Sequence, residues 1–122
     1  MSSPAMGLAS MLIESENGLD LILGVDLFTG SEPAKPDFCV TLMNTPGQPP
    51  VFGGEGYFRP GVQLRVRDLE VDTGWAKIKE YYDILNDRAG DFSGGYRYIG
   101  IWAQGDIMFS HKDEKNRYIH VA

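Results

Sequence analysis

One amphipathic helix set between β-rich stretches dictates a layered fold for this chain. Val71, Trp75, Ile78, Tyr82 and Leu85 recur at helical spacing within residues 71–87, and Lys77, Lys79, Glu80, Asp83 and Asn86 fill the remaining circumference. Asp68 or Asp72 is placed to cap its start, and Gly90 ends the run. Such a helix must lay its stripe on something apolar. Just upstream, Val62-Gln63-Leu64-Arg65-Val66-Arg67 alternates apolar and polar residues, the pattern of a half-buried strand. Val62, Leu64 and Val66 are expected to face the core, and Gln63, Arg65 and Arg67 to face out. Trp75 and Tyr82 read as core residues.

A second helix is expected over residues 4–16, with Leu8, Ala9, Leu12 and Ile13 on one side. Ser3-Pro4 supplies its cap and first helical residue, and Asn17-Gly18 its stop. Asp26-Leu27-Phe28 reads as a short extended piece. Residues 31–37 hold two prolines and form a turn region. Phe38 to Met43 is a strand. Residues 44–61 carry four prolines and five glycines in 18 positions, which marks a long loop. Phe92 to Gly95 is a turn, and Tyr96 to Gln104 a strand with a bulge or close approach at Gly100. Residues 106–109 continue extended, Ser110 to Asn116 is a charged loop, and Arg117 to Val121 is a final strand that should pair antiparallel with the one before it. Its alternation is still running at Ala122, where a completed strand or a frayed end is expected of a chain terminus. The whole is an α+β chain: a small antiparallel-leaning sheet of four to five strands, with an N-terminal helix and a central helix packed on one face.

Chemistry is sparse in this pattern. At 122 residues, one domain spanning 1–122 is the natural count. The net charge of −6 argues against a protein built to grip nucleic acid, though a surface that lets DNA pass without holding it remains compatible. No run of 18 apolar residues is present, so no membrane span is expected, and Met1 to Met6 does not read as a signal peptide. Cys39 is the only cysteine, which leaves no internal disulfide, and its apolar setting suits a buried, inert thiol. His111 and His120 lack a third ligand at metal-site spacing. Gly-x-Ser-x-Gly, His-Glu-x-x-His and the phosphate-cradling glycine loop are absent. Phe52-Gly53-Gly54-Glu55-Gly56 is glycine-rich but lacks the flanking strand and helix of a phosphate site. Catalysis, a metal and a cofactor are therefore not expected.

Several segments in order resemble one family. They are Asp26-Leu27-Phe28-Thr29-Gly30, Pro36-Asp37-Phe38-Cys39-Val40, Gly47-Gln48-Pro49-Pro50, and Pro60 to Arg67. The helix Trp75 to Leu85, Tyr98 to Gln104, and Asp113 to Ile119 follow. Taken together, they resemble the minor capsid or tail terminator family of long-tailed bacteriophages. The resemblance runs over nearly the whole chain. It rests on order and spacing, because no single piece is specific.

The resemblance implies an α+β subunit of the virion, placed at the tail–neck junction after assembly in the host cytoplasm. Copies would form a homo-hexameric ring that caps the tail tube protein and offers a surface to a head-side neck or stopper protein. Genomic DNA would pass through the lumen, with no cofactor and no membrane. Candidate subunit-interface residues are Tyr57, Phe58 and Arg59, an aromatic–cation group in the long loop, and Arg65 and Arg67 on the outward strand face. The 44–61 and 105–116 segments are candidates for arms or open strand edges. The alternatives are another neck component, such as a head–tail stopper or a tail-tube-like subunit, or a small cytosolic ligand-binding domain or enzyme with its pocket under helix 71–87.

Overall fold

The computed structural model of the chain describes residues 3–13, 21–48, 59–86, 91–93, 96–98, 100–101, 103 and 105–122. The helix stops expected at Asn17-Gly18 and Gly90, and the glycine-rich Phe52 to Gly56, lie outside the described residues. In chain order the elements are α1 (Pro4–Ile13), β1 (Leu27–Thr29), β2 (Cys39–Gln48), β3 (Arg59–Asp68), α2 (Val71–Leu85), β4 (Asp91–Ser93), β5 (Tyr96–Tyr98), β6 (Met108–Lys112) and β7 (Tyr118–Val121).

The sheet has five strands in the order β1-β2-β3-β7-β6. It is mixed, because β1 runs parallel to β2 while every other pair is antiparallel. Strands β4 and β5 form a separate hairpin. The α+β expectation therefore holds, with both helices against one face of the sheet. Three boundaries differ. Residues 44–48 and 59–61, expected as loop, extend the β2–β3 ladder from Cys39↔Arg67 to Gln48↔Arg59, with a register shift between Thr45 and Gln48. That irregularity is where Pro46, which has no N–H to give, is accommodated. The turn expected at Phe92 begins as β4. The antiparallel partner of the last strand is β6, from residues expected to be extended chain and charged loop, and not the strand at 96–98.

Register fixes what each face carries. Val40, Val66 and His120 stand side by side across β2, β3 and β7, with Leu42 and Leu64 on the same face. Val40, Leu42, Leu64 and Val66 join Ala5, Leu8, Ala9, Met11 and Leu12 of α1 and Ile78, Tyr81 and Leu85 of α2 in one buried cluster. Leu27 and Leu21 complete it. The opposite face carries Cys39, Thr41, Arg65, Arg67, Ile119 and Val121.

Helix α1 starts as expected. The Met6 N–H donates to Ser3 Oγ at 3.3 Å, and the Ala5 N–H is taken by Asn44 Oδ1 of β2 at 3.0 Å, which ties the helix start to the sheet. Ile13, expected in its apolar stripe, is 45% exposed, and Ala5 and Met11 are buried in its stead. In α2 the buried side is Gly74, Ile78, Tyr81 and Leu85. Trp75, expected in the core, is 48% exposed, and Tyr82 is half-buried with its hydroxyl donating to Gly105 O at 3.4 Å. The cause is Gly74. A Cβ there would sit 3.2 Å from His120 Nδ1 and 3.3 Å from Asp68 Cβ, so the helix turns its side-chain-free position to the sheet and carries Trp75 outward. The helix N-cap is Glu70, without a side-chain bond. Asp68 accepts the Glu70 N–H just before the helix, and Asp72 sits in its first turn.

Two opposing effects meet at Gly74. Alanine favours an interior helix position by about 1 kcal/mol, while overpacking a tight contact costs about 1–3 kcal/mol. Gly74→Ala is expected to change stability little, and Gly74→Val to lower the urea midpoint clearly with an unchanged m-value. An equally stable Gly74→Val protein would show that α2 does not depend on this contact.

Candidate assembly interface

The side of the sheet away from the helices is covered by the segment from Gly30 to Asp37, while Phe38 packs with the helix-side core. Its two prolines remove backbone donors, and its carbonyls are open to donors from elsewhere. Arginine side chains supply them. Arg67 Nη2 donates to Pro36 O at 2.7 Å and its Nε to Asp37 O at 3.4 Å. Arg117 Nη1 donates to Ala34 O at 2.6 Å and lies 3.5 Å from Asp37 Oδ1. Glu32 draws Arg65 to 3.3 Å and Arg67 to 3.5 Å. Arg117 Nε donates to Asp113 Oδ2 at 2.8 Å.

Asp113 also accepts the backbone N–H groups of Lys115 and Arg117, which closes the β6–β7 turn. Burial works against its charged form, but the amides and the Arg117 guanidinium outweigh it and hold the carboxyl below its ordinary range. Beneath the same segment Cys39 is fully buried, and desolvation pushes its thiol up despite the nearby Arg67, so the expectation of a buried, un-ionised thiol holds.

This network revises one expectation. Arg67 does not face out: it is 2% exposed, because the proline segment roofs the strand face that alternation alone assigns to solvent. Arg65 is half-buried, bridged to Glu32. Arg59 lies in β3 opposite Gln48, and Tyr57 and Phe58 lie outside the described residues.

Two other surfaces are conspicuous for exposed apolar side chains. Leu69, Val71, Trp75 and Phe109 are 41–53% exposed and surround the Gly74–His120 contact. The Phe109 ring meets the His120 ring edge-on at 5.5 Å, which places β6 and the first turns of α2 on the same rim. Met108, beside Phe109, is 58% exposed. At the other end of the sheet, Ile22, Leu23 and Val25 are 41–58% exposed in the turn that leads into β1.

The two edges differ in their backbones. At β1 the turn folds back, and Leu27 accepts the Gly24 N–H at 2.8 Å and gives its own to Ile22 O at 3.3 Å. At β6 all five residues are exposed and no further strand is paired among the described residues. Sequence reading misses the Trp75–Phe109 rim, although an adjacent Met108-Phe109 pair between Asp106 and a run of charges is the available signal.

The turn after β6 forms only a shallow open hollow lined by His111, Lys112, Asp113, Glu114, Lys115 and Arg117. Among the described residues, no group of three or more His, Cys, Asp or Glu side chains could hold a metal, and no helix is long and apolar enough to cross a membrane.

Removing one partner of a buried charge cluster leaves the rest unsatisfied, a loss of about 3–5 kcal/mol for well-buried pairs. Arg67→Leu is therefore expected to lower stability by an amount of this order, and to expose residues 30–37 to limited proteolysis ahead of the rest of the chain. Glu32→Gln, which keeps the bonds to Pro36 and Asp37, is expected to do much less. Equal loss in both variants would assign the effect to the ion pair and not to the roof.

In comparison with known proteins, no curated protein and no solved structure gives a significant match. Residues 12–122 match the family model described as Bacteriophage tail terminator protein, and the chain thus belongs to the bacteriophage tail terminator family, as a structural protein of the phage tail.

Proposed function

We propose that this protein is the subunit of a ring that ends the tail tube at its head-proximal end. Six copies join head to tail, the tail tube protein lies on one side and a head-side neck or stopper protein on the other, and DNA passes through the lumen. The observation that carries the self-assembly reading is the pair of unlike apolar surfaces at opposite ends of one sheet: Trp75, Phe109 and their neighbours at the β6 end, and Ile22, Leu23 and Val25 at the β1 end. A ring uses a heterologous contact, one patch against a different patch, repeated until the rotation closes. Buried aromatic anchors are the side chains that carry most of the energy in such contacts.

Tyr57, Phe58, Arg59 and Arg65 are retained as interface candidates, Arg59 and Arg65 on β3. Arg67, buried in its own chain, would act there through the roof segment that it holds. The net charge of −6 suits a lumen that does not retain DNA, because retention requires neutralising phosphates.

Native mass spectrometry and light scattering test the assembly. The expected result is a closed species near six subunits. Trp75→Glu combined with Phe109→Glu should leave a folded monomer, since both side chains are about half exposed in the single chain and neither belongs to the buried core cluster. A wild-type monomer at high concentration, or an unaltered ring in the double variant, contradicts the reading. A cryo-EM map that finds the chain repeated along the tube would favour a tube subunit over a terminator.

A further inference from the structure

Directly beneath the Trp75–Phe109 rim lies a titratable side chain that the assembly reading does not use. His120 is 1% exposed on the helix-facing side of β7, and its Nδ1 is fully buried without a hydrogen-bond partner. The groups around it come from four elements. From α2 there is only Gly74, so close that a methyl group would stand 3.2 Å from Nδ1, with Glu70 and Asp72 in the chain just before it. From β6 there is the Phe109 ring. Tyr118 shares the same face of β7, two residues back. From β3 there is Asp68, whose carboxylate accepts the Glu70 N–H. A neutral imidazole fits this space. An imidazolium must bring a second N–H and a full charge into it, and no described acceptor stands at Nδ1.

We propose that His120 is an acid-sensitive latch: when its imidazole takes up a proton, the N-terminal turn of α2 lifts off β7 and the Phe109 end of β6 loosens from it. Desolvation lowers the imidazole's affinity for a proton, and the opposing pull of Asp68 is the smaller effect.

The sign follows from linkage. The opened form binds a proton near the ordinary value of 6.5, and the closed form only at lower pH. The closed form is thus fully favoured above that value. Below it, the opening constant rises by up to about tenfold per pH unit, until the closed form titrates too. This device belongs to the single subunit, and its test does not require a ring.

The experiment uses the whole chain between pH 8 and 5, above the ordinary carboxylate range. NMR follows the imidazole signals of His120, and hydrogen exchange, corrected for its intrinsic pH dependence, follows the amides of residues 74–75 and 108–110. The expected result is that His120 titrates below the ordinary value of 6.5 and that these amides lose protection by up to about tenfold per pH unit, while the β2–β3 ladder keeps its protection. His120→Gln should flatten that profile, and His111→Gln should not. The proposal is overturned if His120 titrates at or above 6.5, or if protection is lost uniformly or not at all. The wild-type titration and exchange decide the matter even if His120→Gln fails to fold.

Discussion

The sheet face away from the helices depends on acceptors for two buried guanidinium groups, those of Arg67 and Arg117. Segment 30–37 cannot join the sheet as a strand, yet it covers the sheet face carrying Cys39, Thr41, Ile119 and Val121, all buried. Arg67 and Arg117 are 2% and 5% exposed, an unpaired buried charge is costly, and the carbonyls of Ala34, Pro36 and Asp37 accept their donors. Glu32 and Asp113 then balance the charge that those donors bring. Arg67 comes from β3 and Arg117 from the entry to β7, so the same bonds that hold the segment also tie two neighbouring strands together. One face of the sheet is closed by oil and the other by a polar lattice.

The oily side has its own fixed point. Gly74 and His120 set the distance between α2 and the sheet, and that distance sets the rotation of the helix. A helix turned to bury Trp75 would need a larger gap at position 74. Close contact at a glycine therefore has an external effect: a large aromatic side chain goes to the surface, beside Phe109 of an edge strand. Core packing and candidate interface are two results of one choice.

Much of this was legible in the residues, and the failures have physical causes. The alternation over Val62 to Arg67 located β3 and its core-facing side, and the stripe over 71–85 located α2, because both patterns follow directly from backbone period. The same alternation misled at Arg67, since period tells which side a residue faces and not whether another segment lies over that side. Trp75 was misread because hydrophobicity outweighed the glycine beside it. The 44–61 region, rich in glycine and proline, read as loop, yet its flanks pair as strand, since ladder bonds already formed inward carry the pairing past a local irregularity. Of the five candidate interface residues, the described structure gives the side chains of Arg65 and Arg67, and both are engaged with Glu32 in their own chain.

The unequal edges of the sheet have a consequence for solubility. A sheet that can accept strands at both ends can grow without limit, and that is the common route from exposed edges to fibrous aggregates. Here β1 is three residues long and the turn before it occupies the N–H and C=O of Leu27. Within the five-stranded sheet, the edge open to backbone pairing among the described residues is thus β6. A second copy paired there would cover that edge, so growth of this sheet would stop after a single partner.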